Sequence, residues 1–334
     1  MTVVSSPGLA TEITEGTEGR KDGSVASVSS VARSRTDTPE MTELLHATTD
    51  DGLDLAVEHF PASGRARGAV WLGHAILANR RSLDRPRGGG LASELAAAGL
   101  HAYTIDLRGH GGSRAAVKGA GWRYEDLLRG DFPAVTRLVR ERHRDLRLGA
   151  VGHSLAGHAA AAWLGTARGR PPVDALVTLG AHIWIRRLEP SALRWVQKRA
   201  VLDVMGGLAR VFGRVPARAA GFGSEDAPAG FAAQWLGWAA ANAWRYPEGE
   251  DYLASLARVT TPVLAVVGTG DRLLCHPVPG EIFHRHLRSA PLEIEVAAPP
   301  ALGYDPGHME LVTDARSRPL WRRIAAWLVE RLAA

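Results

Sequence analysis

The sequence predicts an α/β protein: a mostly parallel sheet covered by helices on both faces, with one long helical insertion. Three observations carry this. Short apolar runs, such as Gly68-Ala69-Val70-Trp71-Leu72-Gly73 and Thr261-Pro262-Val263-Leu264-Ala265-Val266-Val267-Gly268, alternate with helical stretches, the pattern of strands buried on both faces. One such run ends in Gly152-His153-Ser154-Leu155-Ala156-Gly157 before an alanine-rich helical stretch, which reads as strand, tight turn and helix. Between Gly180 and Thr261 the alternation lapses, and that segment holds Trp184, Trp195, Trp235, Trp238 and Trp244, half of the ten tryptophans.

A chain of 334 residues with 46% apolar and 22% charged residues has the length and composition of a globular protein with a sizeable core. The net charge of +5 comes from scattered arginines; only Lys21, Lys118 and Lys198 are lysines among 40 basic residues. A nucleic-acid partner is therefore not expected. Cys275 is the sole cysteine, which excludes an intramolecular disulfide and a cysteine-rich metal centre. No apolar run reaches the ~18 residues of a membrane helix, and no charged start leads into an apolar secretory core. A cytoplasmic location is the expectation.

Residues 1–41 are rich in Ser, Thr, Gly and Glu and too poor in large apolar groups to offset the entropy of ordering, so a disordered tail is expected. The first part of the core spans 42–180. It opens with a hairpin around Asp51-Gly52, then the strand ending at Gly73-His74, a helix through Leu91 and Leu95 that stops at Gly99, and the strand Leu100–Asp106. The loop Leu107–Arg114, an amphipathic helix over Asp126–Arg142, the serine turn and a strand ending at Gly180 follow. A helical cap occupies 181–258. The second part, 259–334, supplies strands ending at Gly268 and Ala297 and a closing amphipathic helix over Leu320–Leu332.

A serine hydroxyl is a weak nucleophile until a base removes its proton, and the base needs an orienting acid. In open parallel sheets such groups gather at the carboxyl ends of strands. Asp271 lies three residues beyond one strand, in Gly268-Thr269-Gly270-Asp271, and His308 follows the last strand, in Gly307-His308-Met309. Asp305 and Asp174 are rivals for the acid, but one is too close to His308 in sequence and the other begins a strand. Cys275-His276 lacks a turn that would present a thiol. The order Ser154, Asp271, His308 is that expected of a nucleophile elbow. The backbone N–H of Leu155 and that of Ile76, with Ala75 the second choice, are the expected oxyanion donors. His74, Asp106 and His110 are expected to shape loops, and His153 to pack beside the elbow.

Assembled in this order, these motifs resemble the α/β-hydrolase superfamily over roughly residues 44–332. The resemblance implies an eight-stranded sheet and a Ser154–His308–Asp271 triad working through an acyl-enzyme, with no cofactor and no metal. It departs from the family pattern at Ala75, where glycine usually follows the histidine, and at Ala156, where glycine usually ends the elbow. The expected activity is hydrolysis of a carboxylic ester or lactone, a small-molecule substrate with an apolar portion suited to the tryptophan-rich cap. The alternative is acyl transfer or cyclisation by the same triad.

Overall fold

The computed structural model describes residues 42–113, 121–246, 249 and 251–333; the expected tail lies outside them. Eight strands form the central sheet: β1 Glu43–Thr48, β2 Asp54–Phe60, β3 Gly68–Gly73, β4 Leu100–Ile105, β5 Leu148–His153, β6 Ala175–Leu179, β7 Val263–Gly268 and β8 Leu292–Ala297. Their spatial order is β1-β2-β4-β3-β5-β6-β7-β8. β2 runs antiparallel to both β1 and β4, and the remaining pairs are parallel. The parallel strands therefore end along one edge, where loops from different crossovers meet.

Side chains of successive residues leave a strand on opposite faces, and β3 shows both faces filled. Trp71 enters the layer under helices α2 (Phe132–Arg142) and α3 (Leu155–Thr166), where its ring stacks on Phe132 at 5.0 Å. Val70 and Leu72 enter the opposite layer with Leu91 of α1 (Leu91–Ala97) and Trp321 and Leu328 of the closing helix. That is why the strand reads as a continuous apolar run rather than an alternating one.

The helix expected over Asp126–Arg142 is not uniform. A short turn at Tyr124–Asp126 passes into a π-helical turn, Leu127–Asp131, before α2 begins. Two local features account for this. Pro133 has no N–H to donate, and Asp131 is committed to the buried Arg108, accepting from its backbone N at 2.9 Å and its Nε at 2.6 Å. The hairpin, the strand ending at Ala297 and the closing helix fall where the sequence puts them.

The segment between β6 and β7 contains helix α4 (Ala192–Phe212), a two-residue ladder of Arg214–Val215 with Ala227–Pro228, and helix α5 (Ala229–Ala241). Ser191 caps α4 by accepting from Arg194 N, and Gly213 ends it at φ 67, a left-handed termination that suits glycine. α4 and α5 pack closely where Gly206 faces the Leu236 side chain. Beyond this insert, helix α6 (Pro277–His284) follows β7, and α7 (Arg318–Leu332) closes the chain. Among the described residues, no helix is long and apolar enough to cross a membrane.

Candidate active site

Ser154 sits between the last residue of β5 and the first of α3, at φ 51 and ψ −109. For a residue with a β-carbon that backbone is strained, of the order of 1–3 kcal/mol, and such strain survives only where surrounding contacts enforce it. Here they do. Ser154 N donates to Leu179 O of β6 at 2.8 Å, and Ser154 O accepts from the N–H groups of Gly157 and His158 at 3.0 and 3.1 Å. A β-carbon on Gly152 would lie 2.4 Å from Gly157 N and Cα, so strand and helix cross in near contact.

The glycine that opens the crossing is therefore Gly157, not residue 156. Ala156 faces β3 instead, where a β-carbon on Gly73 would fall 2.6 Å from the Ala156 methyl. The departure from the usual elbow is accommodated by glycine on the neighbouring strand. The turn also starts α3, so Leu155 N–H stands at the first helical position, where no intrahelical acceptor exists.

Asp271 and His308 meet directly. His308 Nδ1 donates to Asp271 Oδ2 at 2.5 Å, and the carboxylate side chain is 2% exposed. Burial acts to raise the Asp271 pKa, but the hydrogen bond and charge of His308, with N–H groups of Cys275 and Leu274, outweigh it and hold the carboxyl below its ordinary value. The rival acids are elsewhere. Asp305 is exposed and accepts from Thr269 Oγ1 at 2.6 Å; Asp174 accepts from Leu148 N at the opposite end of the sheet. Cys275 is buried, which drives its thiol pKa up.

The elbow and the His308 loop are joined by His153, whose Nε2 donates to His308 O at 3.0 Å and whose ring lies 4.9 Å from that of His308. Burial, then the neighbouring His308, lower the His153 pKa to about 3, so it is a neutral spacer. Gly180, at the end of β6, passes close under His308: a β-carbon there would be 3.1 Å from Nδ1. Asp271 and His308 are thus brought into contact, and Ser154 is brought beside them through His153 and Gly180. No hydrogen bond joins the Ser154 hydroxyl to His308 among the described residues.

Ile76 lies in a turn closed by Ala78 N donating to Ala75 O at 3.1 Å. Two buried histidines hold this turn. His74 Nδ1 donates to Ala75 O at 2.8 Å while its Nε2 accepts from Leu107 N at 3.0 Å; His110 Nε2 donates to Ile76 O at 2.5 Å. Asp106 ties in the same region by accepting from Arg80 N and Gly112 N. The peptide carrying Ile76 N–H is therefore fixed through Ala75 O, which compensates for alanine where the family has glycine.

The insert roofs this edge. Ser224 N donates to Leu77 O beside the Ile76 turn at 2.9 Å, and Trp184 Nε1 donates to Leu274 O in the Asp271 loop at 2.9 Å. Within it lies a group the sequence reading passed over: Lys198 of α4, fully buried, donates to Glu189 Oε2 at 2.8 Å and to His182 Nε2 at 2.9 Å. His182 follows β6 just as Asp271 follows β7, so the search along strand ends that found Asp271 also reaches it. An open groove of about 760 Å³ between α4 and α5 is lined by Arg199, Asp203, Leu236 and Ala240 rather than by these groups.

The ring nitrogens of His59, His101 and His143 lie within 4.8 Å of one another. The His101 and His143 rings are stacked at 4.0 Å and 21°, so their in-plane lone pairs run side by side instead of converging on one ion. His101 is also at the start of β4, away from the strand ends that carry Ser154 and Asp271.

Comparison with known proteins agrees with this architecture. The family described as serine aminopeptidase, S33, matches residues 86–220, and no curated protein matches the chain. Among solved structures, an esterase of Pyrococcus furiosus aligns at 16% identity over 88% of this chain and 92% of its own, with a TM-score of 0.60. An esterase of Exiguobacterium antarcticum aligns at 19% identity, 85% and 98% coverage and a TM-score of 0.55. One from Thermogutta terrifontis gives 18% identity, 86% and 98% coverage and a TM-score of 0.55. Sheet order, elbow and these likenesses define the class: the chain has the α/β-hydrolase fold.

Proposed function

We propose that the protein hydrolyses a carboxylic ester or lactone, with Ser154 as nucleophile, His308 as base and Asp271 as orienting acid. The observation that carries this reading is the strained Ser154 turn, φ 51, set beside a buried carboxylate–histidine pair 2.5 Å apart. Strain of this kind costs stability and serves to lift a hydroxyl clear of the sheet.

Asp271, ionised and accepting from Nδ1–H, leaves His308 Nε2 as the free lone pair. The Ser154 hydroxyl attacks the acyl carbon as Nε2 takes its proton, and Asp271 stabilises the imidazolium that forms. The tetrahedral oxyanion is bound by the N–H groups of Leu155 and Ile76, preset dipoles that need no rearrangement. Collapse expels the alcohol with the proton returned by His308. Water then attacks the acyl-serine, activated by the same imidazole, and frees the acid. The insert acts as the cap whose aromatic side chains contact the apolar part of the substrate.

The test is turnover of 4-nitrophenyl acetate and butyrate by the wild type, Ser154→Ala and His308→Ala, with products analysed with and without an added alcohol. Turnover that collapses in both variants, with free acid as the main product, supports hydrolysis. A main product carrying the added alcohol assigns acyl transfer instead.

A further inference from the structure

Buried N–H groups in folded proteins nearly always have an acceptor, yet several gathered between elbow and insert have none among the described residues: His182 Nδ1, His158 Nε2, Trp235 Nε1 and Trp244 Nε1. For His182 the protonated nitrogen follows from the partner on the other side. Lys198 only donates, so His182 Nε2 accepts and the proton sits on Nδ1. The contact between the Tyr124 hydroxyl and His158 Nδ1 at 2.9 Å fits either direction; we assign the phenolic O–H, which has no other acceptor among the described residues, as the donor, which puts the proton of that ring on Nε2. Both rings are almost fully buried, and burial keeps both neutral, with the His158 pKa lowered to about 3.

These groups flank the reacting serine. His158 is one helical turn beyond Ser154, and its backbone N–H donates to Ser154 O. His182 follows Ala181, whose methyl lies 2.7 Å from where a β-carbon on Gly157 would be. From above, the Trp235 ring lies 5.8 Å from His158 and 5.8 Å from Trp184, and Trp184 in turn lies 5.6 Å from Lys198 Nζ. The contacts run from His158 on the floor through Trp235 and Trp184 to Lys198 of the insert, with unpaired donors and no unpaired acceptor among these side chains.

We propose that this is a substrate subsite: it takes a second oxygen acceptor carried near the scissile ester, which docks on the N–H groups of His158, His182 and Trp235. The assignment rests on the ester-hydrolase reading and adds the substrate class, an oxygen-bearing ester or lactone in place of a plain alkyl ester. Glu189 already balances Lys198, and Arg194 lies 3.0 Å from the same carboxylate, so a neutral carbonyl oxygen fits better than a carboxylate. The tryptophan faces remain available for the apolar remainder.

Binding to Ser154→Ala protein, followed by calorimetry, tests this without requiring turnover. The probes are methyl 3-oxooctanoate, methyl octanoate and monomethyl suberate. The ketone ester is expected to bind at least about tenfold tighter than methyl octanoate, as one well-placed hydrogen bond gives. His182→Phe and His158→Phe, each added to Ser154→Ala and checked for a cooperative melt, are expected to bring that ratio to within about threefold of one. Equal affinity for the two esters, no binding of either, or a ratio that survives in both variants would overturn the proposal. Tightest binding of monomethyl suberate would overturn the choice of a neutral carbonyl. A tenfold preference in Ser154→Ala, alongside wild-type protein that turns over none of these esters, would overturn the hydrolase reading and leave the subsite standing.

Discussion

The floor of the site and its roof are built on opposite terms. On the floor, at the carboxyl ends of β3, β5, β6 and β7, the positioning contacts are made in advance. Ser154 is held by three backbone hydrogen bonds, Asp271 is engaged by His308, and the Ile76 turn is gripped by His74 and His110. On the roof, aromatic rings meet at tilted angles of 57° and 40°, and Trp235 keeps an unmatched donor. On the proposed reading the difference is a division of labour, with reaction geometry fixed by the sheet and selection left to groups that a ligand completes.

The sharpest way to break this division is to remove a floor group. Ser154→Ala and His308→Ala are each expected to lower kcat/KM for an activated ester by about 10⁴-fold or more, as loss of a triad member does; a loss under about tenfold contradicts the assignment. Asp271→Asn preserves shape but presents the wrong tautomer to His308, and a fall of about 10³ to 10⁴ in kcat is expected. Asp305→Asn serves as its control. If Asp305 matters and Asp271 does not, the acid has been misplaced.

A smaller effect concerns how the floor is held. Gly73→Ala drives a methyl against Ala156 and is expected to cost about 1–3 kcal/mol in urea unfolding. Ala156→Gly should restore most of it in the double variant, and additive losses would show that the two positions do not meet. The roof should answer differently. Trp184→Phe removes the hydrogen bond to Leu274 O, and its effect is expected mainly in KM and in preference among esters, with kcat changed by less than about tenfold.

Acid should expose the buried imidazoles. His153, His158 and His284, fully buried, have pKa values lowered to about 3, 3 and 4 from 6.5, first by desolvation. The unfolded chain takes up protons near 6.5 that the native state refuses, so stability is fully present above that pH and falls as pH drops toward 4. The urea midpoint is expected to decline steadily from pH 7 to pH 5. A flat profile over that interval contradicts the assignment of these rings as neutral.

The strand ends and the Ser154 turn were legible in the sequence because they are local. Gly152-His153-Ser154 joins a strand to a helix and Asp271 sits just past β7, so neighbouring residues place them, whereas His308 lies well beyond β8, past the short helix Pro299–Leu302. The π-helical turn at Leu127–Asp131 was not legible, since it depends on Arg108 reaching Asp131 from another loop. Nor was the role of Gly157, which is decided by its approach to Gly152 across the crossing. The roof hid for the same reason. Lys198 and His182 are sixteen positions apart, and only packing of α4 onto the strand ends brings them together.

The central claim is that Ser154 is activated by His308, and covalent labelling reads it directly. Wild-type protein exposed to a fluorophosphonate is expected to gain one adduct, mapped by peptide mass to Ser154. The adduct should be absent in Ser154→Ala and form far more slowly in His308→Ala. An adduct on another residue, or labelling at the full rate without His308, would contradict the account.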